Sequence, residues 1–101
     1  MFQNVIVRTP CKRVVEGITS NPQLGAPDYE LALKQHAAYI EALKKTGVEV
    51  TVLPANDEYP DSCFVEDDAV LTRACAIITN PGASTRKGEI EAMIPVIKQF
   101  Y

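Results

Sequence analysis

Six carboxylates fall between Asp57 and Asp68 (Asp57, Glu58, Asp61, Glu66, Asp67 and Asp68), with no basic residue among them. Apolar Phe64 and Val65 lie inside the run, so part of it is expected to be buried in a sheet. A carboxylate buried without a partner is costly, and several together raise one another's pKa values. A strand carrying Glu66-Asp67-Asp68 straight after Phe64-Val65 therefore awaits a cation. A guanidinium offers five donors in a planar fork that suits carboxylates on either side. A divalent ion would also accept oxygen ligands, although no Asp-x-Asp-x-Asp-Gly loop is present. The bland alternative is a solvated acidic surface. Further along, Arg86 and Lys87 follow a glycine-containing loop and precede a helical pattern. That is an anion-receiving position, where Arg86 could grip a carboxylate through two parallel bonds; an exposed basic pair is the plain alternative.

Nucleophilic chemistry needs a thiol or hydroxyl beside a base. The single histidine, His36, lies among Leu33, Ala37 and Ile40 on a helical pattern, which reads as a packed helix residue rather than a base. Cys63 and Cys75 fall on predicted strands, where a thiol behaves as a small inert hydrophobe. Cys11 stands beside Lys12 and Arg13, which could lower its pKa, but no base accompanies it. No complete hydrolytic constellation is present.

The elements that must position these groups alternate in type. Phe2 to Val7 is short, apolar and β-branched, a buried first strand. The next twenty residues carry Pro10, Gly17, Pro22, Gly25 and Pro27 and read as a long loop and candidate lid. A helix follows Pro27-Asp28, with an apolar stripe of Leu33, His36, Ala37, Ile40 and Leu43 and with Gly47 after its end. Val48, Val50 and Val52 then mark a strand, and strand–helix–strand predicts a parallel pair. Cys63 to Leu71 and Ala74 to Thr79 predict two more strands. A final helix places Ile90, Met93, Ile94 and Ile97 on one face, with Ser84 or Thr85 as its cap; Pro95 implies a kink or a late start. The pattern stops after that helix with no returning strand, so the sequence is expected to be cut short.

With 101 residues, 47% of them hydrophobic, and a net charge of −3, one α/β domain is expected and disorder is excluded. The acidic balance gives nucleic acid nothing to hold. No apolar run or leader points to a membrane or to secretion. Three cysteines in no metal-type spacing suggest a reduced, cytoplasmic protein.

Four stretches taken in order carry a resemblance. They are Val7-Arg8-Thr9-Pro10 with Glu16-Gly17-Ile18-Thr19-Ser20; Leu24-Gly25-x-Pro27-Asp28-Tyr29 leading into Ala32-Leu33-x-Gln35-His36-x-x-Tyr39-Ile40; Pro60-Asp61-Ser62-x-Phe64-Val65-Glu66-Asp67; and Ile77-Ile78-Thr79-x-Pro81-Gly82-Ala83 with Arg86-x-Gly88-Glu89. The sequence resembles dimethylarginine dimethylaminohydrolases of the pentein, or guanidino-group-modifying, superfamily. The resemblance implies a five-fold α/β propeller, of which residues 1–101 would be the N-terminal portion of the single domain, about the first two ββαβ units. It implies hydrolysis of methylated arginine to citrulline and a methylamine through a cysteine adduct, without metal or organic cofactor. By the same resemblance Asp61 and Asp67 would bind the guanidinium, with Glu66 beside them and Phe64 as a possible pocket wall. Arg86 would hold the α-carboxylate. Ile18 would take the lid position, where the family typically has leucine and its backbone carbonyl meets the α-amino group. The family's nucleophilic cysteine and its histidine would fall after Tyr101, so no catalytic residue is expected in this chain and it should be inactive alone. Two other readings stay open: an arginine deiminase-like relative, and a non-catalytic guanidinium-binding module. The expected partners are a small-molecule substrate and, through exposed sheet edges, further copies of the chain.

Overall fold

In the computed structural model, which describes residues 2–101, the chain forms two compact units that divide after Cys63. The first is built from β1 (Asn4–Arg8), α1 (Tyr29–Lys45) and β2 (Glu49–Leu53). β1 and β2 pair in parallel, with Asn4 opposite Glu49 and Arg8 opposite Leu53, as the strand–helix–strand pattern requires. Val7, Pro10, Cys11 and Leu53 are its buried apolar residues, and the buried Arg8 donates from Nη1 to the Pro54 carbonyl at 2.8 Å.

α1 starts where the sequence says it should. The Asp28 side chain accepts the Leu31 N–H at 3.0 Å, satisfying one of the amides that a first turn leaves without partners. Lys44 and Lys45 occupy the last turn, and Gly47 follows with φ +89°, a left-handed conformation that costs glycine little. Leu33, His36, Ile40 and Leu43 are half-buried, but Ala37 is exposed and no residue of α1 is fully buried. The predicted loop between β1 and α1 holds two short 3-10 turns, Lys12–Glu16 and Pro22–Leu24.

The second unit contains β3 (Ala69–Leu71), β4 (Ala76–Ile78) and α2 (Glu89–Ile97). β3 and β4 are an antiparallel pair with Val70 opposite Ile77. The Thr72 hydroxyl closes their turn, donating to the Cys75 carbonyl at 2.9 Å. Both strands are shorter than predicted. Residues 63–68 are not strand: Val65–Asp67 is a 3-10 turn, closed by the Asp68 N–H on the Val65 carbonyl at 3.1 Å. Cys63 and Cys75 therefore lie in turns, the latter exposed. α2 begins at Glu89 behind Gly88, and no side chain caps it, so neither Ser84 nor Thr85 serves. The late start leaves Pro95 as the seventh helical residue. Met93 and Ile97 are buried, as the apolar face predicts.

Candidate functional site

Ile18 and Asp61 are the expected site residues that fall in the first unit. Tight turns at Asn56–Ser62 draw Asp61 inward: the Ser62 N–H donates to the Tyr59 carbonyl at 3.1 Å and the Ser62 hydroxyl to the Asn56 carbonyl at 3.1 Å. Asp61 is 7% exposed, and its Oδ2 accepts the backbone N–H of Ile18 at 3.1 Å. Gly17 makes this approach possible, since a Cβ there would stand 2.5 Å from Asp61 Oδ1. The buried carboxylate thus anchors the middle of the β1–α1 loop, while the Ile18 side chain remains 61% exposed. The expectation for this lid position concerned the Ile18 carbonyl; what the structure engages is its N–H.

The second unit assembles the remaining polar groups around Arg86. The guanidinium donates from Nε to Glu89 Oε2 and from Nη2 to Glu89 Oε1, both at 2.8 Å. Nη1 donates to Asp67 Oδ2 at 2.6 Å, and Nη2 also reaches the Phe64 carbonyl at 2.9 Å. The 3-10 turn at Val65–Asp67 makes this possible by bringing the Phe64 carbonyl and the Asp67 carboxylate to one cation; alternating strand residues would point to opposite faces. Thr79 braces the turn, its hydroxyl donating to the Asp67 carbonyl at 2.6 Å and its N–H to the Asp68 carbonyl at 3.1 Å. Hydrogen bonding to Glu89 pushes the Arg86 pKa up from its ordinary value, burial works against this, and the Asp67 bond adds to it.

Behind this pair lies Asp68, 1% exposed, with no hydrogen-bond partner for Oδ1 among the described residues. Burial, and then the neighbouring charge of Glu89, push its carboxyl up to about 7 against a partial pull downward from Arg86. Such a group keeps its proton into the neutral range.

The acidic run is therefore divided differently from the expectation. Asp61, Ser62 and Asp68 are buried, whereas Phe64 is 45% exposed and Val65 only half-buried. The predicted burial of Phe64-Val65 in a sheet fails because the chain turns there. Glu66 is exposed. Arg86, expected as the grip for a carboxylate, is engaged by carboxylates of its own chain. Lys87 is tied down as well, its Nζ donating to Asn80 Oδ1 at 3.1 Å and the Pro81 carbonyl at 2.8 Å. Sequence reasoning missed Glu89 as a site residue, although its i,i+3 spacing from Arg86 at the head of a helix was a usable signal.

Neither Cys11 nor His36 is joined to the other in a thiol–imidazole pair. Cys11 is 1% exposed, its Sγ against the Tyr59 carbonyl at 3.6 Å, which removes the reading of an activated loop thiol. His36 lies on α1 with its ring centroid 6.3 Å from that of Tyr39, and burial lowers its pKa. Among the described residues no three His, Cys, Asp or Glu side chains are grouped to hold a metal ion, and no helix is long and apolar enough to cross a membrane.

Residues 26–99 match the profile of a family described as N,N dimethylarginine dimethylhydrolase, eukaryotic. A dimethylarginine dimethylaminohydrolase of Pseudomonas aeruginosa is 50% identical over 101 residues, covering the whole of this chain and 39% of the relative. One of Streptomyces coelicolor is 41% identical over 87 residues, covering 86% of this chain and 34% of its own length. Among solved structures, a cysteine-to-serine mutant of the Pseudomonas aeruginosa enzyme complexed with citrulline superimposes with a TM-score of 0.97 at 50% identity, covering 100% of this chain and 39% of that one. A histidine-to-glycine mutant of a dimethylarginine dimethylaminohydrolase, as its adduct with S-methyl-L-thiocitrulline, gives the same values. The chain thus spans little more than a third of the length of the relatives it matches.

Proposed function

Since the chain belongs to the dimethylarginine dimethylaminohydrolase family, we propose that it supplies the substrate-recognition part of a hydrolase that converts methylated arginine to citrulline and a methylamine. In this reading the two units are parts of one pentein-type propeller domain, and the setting is cytoplasmic, in keeping with an odd number of cysteines. The observation that carries the reading is the Asp67–Arg86 pair. A carboxylate whose side chain is 56% exposed holds a guanidinium at 2.6 Å, the interaction a substrate guanidinium would make. Asp61, Glu66 and Asp67 are the proposed acidic contacts, Phe64 a wall, and Ile18 the lid residue positioned through Asp61. Arg86 takes the substrate α-carboxylate by exchanging Asp67 at Nη1 for the ligand's oxygen, which releases Asp67 toward the substrate's cationic end. The citrulline complex of the relative at 50% identity supports this choice of ligand class.

Catalysis requires a thiolate and a proton donor, and among the described residues no cysteine is paired with a histidine. The 101 residues are therefore expected to bind but not to turn over. The test joins this chain to the remaining part of the Pseudomonas aeruginosa relative and assays citrulline release. Release from dimethylarginine by the chimera, with none from the 101 residues alone, is the expected result. Turnover of unmethylated arginine instead would favour the deiminase alternative. A folded chimera with no activity on either would overturn the proposal.

A further inference from the structure

We propose that Glu89 is a positioning residue of this site: it locks the plane of the Arg86 guanidinium and so fixes where the Asp67 carboxylate stands before a ligand arrives. The inference rests on the reading of Asp67 and Arg86 as ligand-binding residues. Glu89 is the first residue of α2, and its N–H donates to the Arg86 carbonyl at 3.0 Å. Backbone and side chains of the two residues are thus bonded three times, closing a small ring. With Nε and Nη2 both held, a planar guanidinium keeps a single orientation. Nη1 then falls on Asp67 Oδ2.

Exposure rises outward along this chain of contacts, from 2% at the Glu89 side chain through 12% at Arg86 to 56% at Asp67. The locked end is buried, and the end that can exchange partners meets solvent. Asp68 stands beside the locked end, where the Glu89 charge raises its pKa. The Glu89 carboxylate has acceptor sites enough for both Arg86 donors. Were Glu89 simply a helix-terminal ion pair, any carboxylate near the first turn would do. Positioning requires its reach.

The experiment uses the 101-residue chain. Calorimetry with citrulline comes first, and absence of binding rejects the underlying reading of the site and this inference with it. Exchange of the Arg86 Nε proton, followed by nitrogen-15 NMR without ligand, then addresses Glu89 itself. Arg13 is the internal comparison, because it makes a similar Nε contact to Glu16 at 3.0 Å with both side chains about half exposed. Arg86 is expected to exchange at least tenfold more slowly, and equal rates overturn the proposal. Glu89→Asp keeps the charge but withdraws the fork by one methylene. It is expected to bring Arg86 to the Arg13 rate and to weaken citrulline at least tenfold, with an unchanged amide spectrum. Glu89→Gln should do the same and should also lower the titration midpoint of Asp68 by removing a like charge. Parent-like exchange and affinity in either folded variant would overturn the assignment.

Discussion

At the scale of single residues, Asp68 is where burial and charge meet most sharply. Its carboxyl, raised from 3.8 to about 7 by burial and by Glu89, keeps in the folded state a proton that the unfolded chain releases near pH 4. Between those values the native state binds more protons, so stability falls as pH rises, and the loss is complete above the folded value. Asp68→Asn removes the ionisation while keeping the size of the side chain. The variant should match the parent near pH 4 and exceed it at pH 8, by on the order of 1–3 kcal/mol once solvent screening is allowed for. Urea midpoints at the two pH values measure this, and an identical pH dependence in parent and variant would count against the buried proton. That a carboxylate of the acidic run would meet a cation was legible in composition; most of the others are solvated. That the cation is the chain's own Arg86, nineteen residues on, was not legible, because sequence separation says nothing of which side chains a turn brings together.

At the scale of elements, α1 is the segment whose local signals all agree. An acidic cap, a 3.6-residue apolar period, lysines in the last turn and a glycine beyond it point to one helix. Asp28→Ala removes the bond to the Leu31 amide and is expected to cost about 1 kcal/mol, read as a lowered urea midpoint with an unchanged slope. A change below a few tenths would mean that the cap contributes nothing. The segment at 63–68 behaves oppositely. Phe64 and Val65 carry strand propensity, yet the turn wins because it gives Arg86 the Phe64 carbonyl and the Asp67 carboxylate together. Propensity is a weak prior that a charged hydrogen-bond network can outweigh. α2 starts late, one of the two readings that Pro95 allowed; residues 84–88 form turns, and no Ser or Thr side chain caps the helix.

At the scale of the molecule, the buried apolar set among the described residues is small (Val7, Pro10, Cys11, Leu53, Pro81, Met93 and Ile97), while Val70, Ile77, Phe64, Leu24 and Tyr101 are each at least 45% exposed. Each sheet has only two strands, and an isolated two-stranded sheet is marginal in water. In the second unit an open cavity of about 590 Å³, with Ile94, Ile97, Phe100 and Tyr101 in its lining, adds to the uncovered apolar surface. The 101-residue chain is therefore expected to self-associate with rising concentration, through strand edges and these faces. Sedimentation across a hundredfold concentration range tests this, and a single monomer species throughout would refute it.

Sequence alone determined the α/β class, the parallel β1–β2 pair, the α1 boundaries and the family, because each is written in short-range periodicity or in ordered local motifs. Residue type and resemblance likewise make Asp61, Asp67 and Arg86 candidates. Only the tertiary structure decided that Asp61 anchors the Ile18 amide, that Glu89 and Asp68 stand behind Arg86, and that Cys11 is sealed from solvent. Those facts depend on burial and on contacts between residues distant in the chain, where a hydrogen bond or a lost hydration shell outweighs any preference that a residue carries by itself.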